Sequence, residues 1–251
     1  MNTDNLIKEL GIPKAAIINR NFPKKMLYQN VALSSYDKEL IQNGMSRLRW
    51  LGSIKETNTN IPKYEDDAIL YEEIQYFLLE VNNQEVAGKI GKILFNCIPY
   101  PQVLIVSFEE KRQYQVALTR KNSLDTNLVI VEKIYVSPWE SSEVSSIEGE
   151  TFWYHYSNHK KTNLKEYYES LLAKLLINTF DVSPRESEIA TKEVIQIFDE
   201  VQTLNEKIKK LMSLVKSEKQ LNKRIELQLQ LTQLKNKQKR LIATSEEIDY
   251  V

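Results

Sequence analysis

The sequence predicts an α+β protein in which a mixed or antiparallel sheet of about five strands, with packed helices, is followed by a C-terminal antiparallel helical hairpin of coiled-coil type. Three observations carry that reading. The first is a run of short alternating or fully apolar segments between residues 47 and 136, punctuated by turns, with one helical pattern among them. The second is heptad spacing near the end of the chain: Ile197, Val201, Leu204, Ile208, Leu211 and Val215, then Leu227, Leu231, Leu234, Gln238 and Leu241, in steps of four and three. The third is charge. Between Asn205 and Arg240 eleven Lys or Arg stand against three Glu, in a chain whose net charge is zero, so the remainder carries the matching acidic excess.

Residues 11–25 hold Pro13, Pro23 and four bases, Lys14, Arg20, Lys24 and Lys25, with no acid. This reads as an extended lead-in lying along the domain, with a nucleic-acid-binding arm as the sharper alternative. Ser34 and Asp37 form a capping-box-like start for a helix to about Asn43. A strand over 47–54 places Leu48, Trp50 and Ile54 on one face, and the acidic, Asn-rich residues 56–73 read as a loop. From Ile74 to Val81 both faces are apolar, which marks a central strand covered on both sides.

Val86, Ile90, Ile93, Leu94 and Cys97 recur at helical spacing, so residues 84–96 form an amphipathic helix despite Gly88 and Gly91, with Cys97 on its buried face. Pro99 and Pro101 end it. Residues 103–108 and 114–118 form a hairpin whose turn, Glu109-Glu110-Lys111-Arg112, is expected to be solvated, and 128–136 adds a further strand. Two short connections make the sheet mixed or antiparallel rather than doubly wound. The Ser/Glu-rich residues 141–150 mark a boundary, Asn163 and Glu166 start a helix to about Asn178 that packs back on the sheet, and Ser183-Pro184-Arg185-Glu186 starts the next. The domains are therefore 1–182 and 183–251. The heptads break phase between Val215 and Leu227, so the arms turn near 217–222 and the densest basic cluster sits at the tip.

Composition narrows the chemistry. The single Cys97 excludes an internal disulfide and multi-cysteine metal sites and points to a reducing compartment. No apolar run approaches the roughly 18 residues that span a bilayer, and no signal pattern opens the chain, so the expected location is the cytoplasm. There is no Gly-rich phosphate loop, Gly-x-Ser-x-Gly elbow or His-Glu-x-x-His helix, and no cofactor is implied. His155 and His159, four apart, lie in an extended context and read as structural or surface residues. A metal-dependent nuclease of restriction-endonuclease type needs an Asp and a Glu-x-Lys on adjacent strands. Glu109-Glu110-Lys111 with Asp66 or Asp67 supplies the letters but falls in a turn, and the better-placed strand, ending Glu80-Val81-Asn82, lacks the lysine. The residues 64–80, with six acids and no base, form a solvated edge or a receptor for basic helices.

Short strings along nearly the full length resemble a bacterial family known as domain of unknown function 4391. They are Ile12-Pro13-Lys14, Pro23-Lys24-Lys25, Arg49-Trp50-Leu51, Glu73-Ile74-Gln75-Tyr76-Phe77, Ile98-Pro99-Tyr100-Pro101, Ser183-Pro184-Arg185 and residues 218–227, the last being the most specific. The resemblance implies an α+β domain with a C-terminal helical hairpin, and an association with helicases and DNA methyltransferases of restriction and phage-defence type. Where the family continues the Glu73 strand into acid-x-Lys, this chain has Glu80-Val81-Asn82.

The sequence thus favours a non-enzymatic accessory protein of a DNA-processing or phage-defence assembly, docking on a protein such as a helicase or DNA methyltransferase. Its candidate contact residues are Lys207, Lys209, Lys210, Lys216, Lys219, Lys223 and Arg224. Direct DNA or RNA binding by the same bases and a nuclease are the alternatives. Self-association is left open, and no membrane partner is expected.

Overall fold

The computed structural model describes residues 2–30, 32–122, 129–142, 153–179 and 191–247. The chain divides into two compact units, Met1–Leu175 and Leu176–Val251. In order, the elements are α1 (Thr3–Glu9), β1 (Ile17–Asn21), α2 (Lys24–Asn30), α3 (Ser35–Gly44), β2 (Met45–Lys55), α4 (Glu56–Thr59), β3 (Tyr64–Glu65), β4 (Leu70–Tyr71) and β5 (Glu73–Val81). They continue with α5 (Ala87–Cys97), β6 (Gln102–Phe108), β7 (Lys111–Lys121), β8 (Val129–Val136), β9 (Glu140–Ser141), α6 (Leu164–Asn178), α7 (Thr191–Ser217) and α8 (Leu221–Glu247). Among the described residues no helix is long and apolar enough to cross a membrane.

The sheet runs β1-β2-β5-β6-β7-β8, with β9 joining β7 beside β8. Only β5 and β6 pair in parallel, because α5 carries the chain from one to the other; every other pair is antiparallel. The mixed α+β sheet is as expected, and is wider than five strands because β1 and β9 extend it. β5 is buried along nearly its whole length, as a central strand covered on both faces must be.

Alternation along β5 assigns the two layers of helices. Phe77 and Leu79 pack with Leu27 of α2, Ile41 of α3 and Ile90 and Leu94 of α5. Tyr76 points to the other face, where its hydroxyl shares a 2.6 Å hydrogen bond with that of Tyr167 in α6. One helical turn fragment on, Tyr168 donates its hydroxyl to a main-chain carbonyl, with Gln102 O and Ala117 O both 2.9 Å away. α6 therefore packs on the sheet as predicted, anchored by phenols that keep hydrogen bonds while losing water.

Gly91 has a definite role in α5. A Cβ there would lie 2.0 Å from the Oε1 of buried Gln115, so a larger residue would force that side chain to shift as the helix packs on the sheet. Gly88 faces open space. Cys97 is buried, as its position on the helix predicted.

The N-terminal lead-in differs from the expectation. Residues 17–21 are extended and pair with β2, but helices α1 and α2 flank them. Asn2 caps α1 by accepting from the amides of Asp4 and Asn5. Lys24 is not a free base on an arm: its Nζ reaches the carbonyls of Ile41, Gln42 and Met45 at 3.2, 3.1 and 2.6 Å, satisfying the C-terminal end of α3. The acidic loop also contains structure, a small hairpin of β3 and β4 whose turn is held by Asp66 accepting from the amides of Ala68 and Ile69. The predicted helix start at 183–186 and most of the 141–150 boundary lie outside the described residues.

Candidate functional site

The second unit is built on α7 and α8, each of 27 residues and so about 40 Å long. The arms are longer than the roughly 20 residues that the heptads mark. Three residues, 218–220, join them, so the helix is interrupted at Lys219 as the phase break requires. Within that turn Glu218 accepts from the amide of Gln220 at 2.8 Å, and the main chain of Gln220 receives the first helical bond of α8 from Arg224.

The predicted seam is the buried side of the hairpin. Val201, Leu204 and Ile208 of α7 and Leu231 of α8 are buried, while Ile197, Leu211, Val215, Leu227, Leu234 and Leu241 are half-buried. Gln238 is the polar member of the series, and it donates its amide to Asn205 across the arms. Lys237 pairs with Glu200 at 2.7 Å. Both links join the second half of α8 to the first part and middle of α7, as antiparallel arms demand. A polar pair at a seam position favours one register over its neighbours.

All seven predicted bases are exposed, and none has an ion-pair partner among the described residues. The hairpin brings four of them together. Lys216 ends α7, Lys219 lies in the turn, and Lys223 and Arg224 occupy the first turn of α8. Lys207, Lys209 and Lys210 stand one and a half to three turns down α7 and, at about 100° per residue, point in different directions. Lys216 suits the negative end of α7, whereas Lys223 and Arg224 sit at the positive end of α8, where a base is unfavourable. The two helix ends that meet at the tip are of opposite sign, so its positive character comes from the side chains.

What the sequence reading missed is apolar. Leu214, Leu221, Ile225 and Leu229 are 53%, 60%, 52% and 61% exposed, all near this basic tip. The four-four spacing of Leu221, Ile225 and Leu229 was the available signal. It departs from the four-three seam and so marks a second face.

Across residues 10–238 the chain matches the family described as Domain of unknown function (DUF4391). The chain belongs to this family. No curated protein and no solved structure matches it. The matched span takes in all seven bases and the seam as far as Gln238, so the hairpin is part of the family's pattern together with the sheet.

Other candidate groups in the first unit are engaged locally. Lys111 and Lys121 are the two ends of β7, about 30 Å apart by strand rise. Glu110 precedes Lys111, whereas Asp66 lies by Lys121, whose Nζ reaches its carbonyl at 2.6 Å. The nuclease-type letters are thus not brought together. On the better-placed pair, Glu80 stands opposite Arg47 rather than an acid, and they form a two-point ion pair. Asn82, at the missing lysine's position, donates to the carbonyl of Asn43. Among the described residues no three His, Cys, Asp or Glu side chains converge as a metal site.

Arg112 overturns the expectation of a solvated turn. Only Glu109 and Glu110 turn; Arg112 is buried in β7, 2.7 Å from Glu9 of α1 and 2.8 Å from Glu140 of β9. Burial raises the Glu9 carboxyl above its usual range, although the Arg112 guanidinium opposes that shift. The two histidines also part company. His155 contacts the hydroxyl of Ser157, whereas His159 is buried against the Tyr167 ring and burial pushes its pKa down to about 3.

Proposed function

We propose that this protein is a non-enzymatic accessory component of a bacterial DNA-processing or phage-defence assembly, which docks through the tip of its helical hairpin onto a large protein such as a helicase or DNA methyltransferase. The observation that carries this reading is where apolar surface is left uncovered. Of nine large hydrophobic side chains exposed among the described residues, five lie within residues 212–229: Met212, Leu214, Leu221, Ile225 and Leu229. Scattered exposed leucines need no explanation, but apolar side chains gathered near the turn of a helical hairpin mark a contact surface. The bases around them add steering and selectivity for an acidic surface.

The test is co-purification from native cells of the tagged full-length chain and of a charge-reversed form, Lys216→Glu, Lys219→Glu, Lys223→Glu and Arg224→Glu. Loss of the co-purifying protein from the reversed form, with helicity unchanged, is the expected outcome. Equal recovery of every partner by the two forms would remove the tip from the docking surface.

A second reading, direct binding of DNA or RNA, is favoured by one observation: Lys219, Lys223 and Arg224 gather where α8 presents its positive end. Phosphate contacts would make such binding fall steeply with salt, and charge reversal at four bases would flatten a log–log salt plot by up to about 4. Absence of duplex and single-strand binding at low salt eliminates that reading and leaves the protein-docking one intact.

A further inference from the structure

We propose that the outer face of α8, centred on Leu221, Ile225 and Leu229, receives an acidic amphipathic helix from a protein partner; this deepens the docking reading above and rests on it. On α8 the seam residues Leu227, Leu231 and Leu234 face α7. At about 100° per residue, Leu221, Ile225 and Leu229 fall on the opposite side, roughly 160° from the seam. Their exposures of 60%, 52% and 61% agree with that placement. α8 is therefore apolar on two opposed sides, of which the hairpin covers one.

The uncovered side has the shape and chemistry of a helix receptor. From Leu221 to Asn236 its remaining members are Asn222, Gln228 and Thr232, so the strip carries no charge along about 24 Å. Lys223, Arg224, Glu226 and Lys235 all turn to other sides of the helix. A phosphate backbone would want charge along such a strip, whereas an apolar stripe at i, i+4 and i+8 matches the anchors of a helix laid in parallel or antiparallel contact.

The flanking charge selects the occupant. At the tip Lys216, Lys219, Lys223 and Arg224 are opposed by Glu218 and Glu226, and Glu218 already accepts the amide of Gln220. Pairing with a second copy about Ile225 would bring two sets of Lys219, Lys223 and Arg224 together, an arrangement that like-charge repulsion disfavours. The chain's own acidic stretch is not the source either. Glu65 pairs with Lys121, Asp66 with Lys165, Glu73 with Lys55 and Glu80 with Arg47, so the stretch is largely neutralised where it stands. A different protein, offering leucine-like side chains four apart with acids beside them, satisfies both the strip and its rim.

The deciding experiment places the photo-cross-linker p-benzoylphenylalanine at Ile225 in the full-length chain, expressed in its native cells, and sequences the cross-linked peptide. Gln230, on a different side of α8, takes the same group as control. The expected adduct joins position 225 to another protein, in a net-acidic segment with apolar residues at i and i+4. Ile225→Asp with Leu229→Asp should lower recovery of that protein at least about tenfold while helicity is kept. An adduct with a second copy of the chain, with nucleic acid or with a neutral or basic segment overturns the proposal, as does the absence of any adduct. Failure here is separable from failure of the docking reading. If charge reversal at the tip still releases the partner, docking stands and the α8 face is the wrong surface; if neither change affects the partner, both fall.

Discussion

The sheet domain and the helical hairpin handle charge in opposite ways. In the domain, the buried and half-buried charges that bridge elements are tied to one another or to the main chain: Arg112 to Glu9 and Glu140, Lys121 to Glu65, Arg47 to Glu80, and Lys24 to three carbonyls at the end of α3. In the hairpin, Lys237 with Glu200 is an ion pair near the base, while the four bases at the tip have no partner among the described residues. The same inversion holds for apolar surface, buried in layers above and below β5 but exposed at Leu221, Ile225 and Leu229. The proposed docking surface rests on this contrast, between charges paired inside the sheet domain and bases left beside exposed leucines at the hairpin turn.

The sharpest way to break this contrast is at Arg112. Arg112→Met keeps most of the side-chain volume but leaves Glu9 and Glu140 without their counter-charge. It should destabilise the domain by about 3–5 kcal/mol in urea unfolding, because the acids then remain in a poorly solvated place. Lys219→Met at the tip should change stability by less than about 0.5 kcal/mol. Comparable losses at the two positions would mean that the tip base is structural after all.

The hairpin itself divides into a seam and a bare face. Ile208→Ala, at a buried seam position, should lower hairpin stability by about 2–4 kcal/mol and be visible as faster amide exchange in α7 and α8. Ile225→Ser on the bare face should stay within about 0.5 kcal/mol. If Ile225→Ser loosened the arms as much as Ile208→Ala, the outer face would belong to the fold and not to a partner.

Acid should reach the domain before the hairpin. His159 is held neutral in the folded domain, with a pKa near 3 against an ordinary value of 6.5. Its folded value is the lower one, so its contribution is whole above pH 6.5 and is lost as pH falls toward 3, by about 1.4 kcal/mol for each unit within that window. His159→Phe should flatten the acid limb of the domain's unfolding profile by about one proton. Glu9 acts in the other direction. Its folded pKa is raised, so its ionisation weakens the fold as pH climbs through that value, and Glu9→Gln should become relatively less harmful toward neutral pH.

Much of this architecture was legible because periodicity is a local property. Ser34 with Asp37 announced α3, Pro99 and Pro101 ended α5, the two-faced apolar run of β5 declared a central strand, and the phase break after Val215 located the turn of the hairpin. β1 and α2 were not legible, since a five-residue edge strand between prolines and a seven-residue basic helix have too little pattern of their own. Their form comes from β2 and from the open carbonyls of α3. Glu109 to Arg112 misled for a related reason. Sequence distinguishes a charged residue from an apolar one, but not a solvated charge from one that finds two carboxylates arriving from α1 and β9.

The candidate site divides along the same line. The bases of the tip and the seam were determined by the sequence alone, because heptad steps and charge density depend only on neighbours along one helix. Which bases gather, which acids are already neutralised, and which leucines remain uncovered were decided by tertiary structure. Those properties depend on which surfaces meet, and residues far apart in the chain, such as Glu9 and Arg112 or Asn205 and Gln238, meet only after folding.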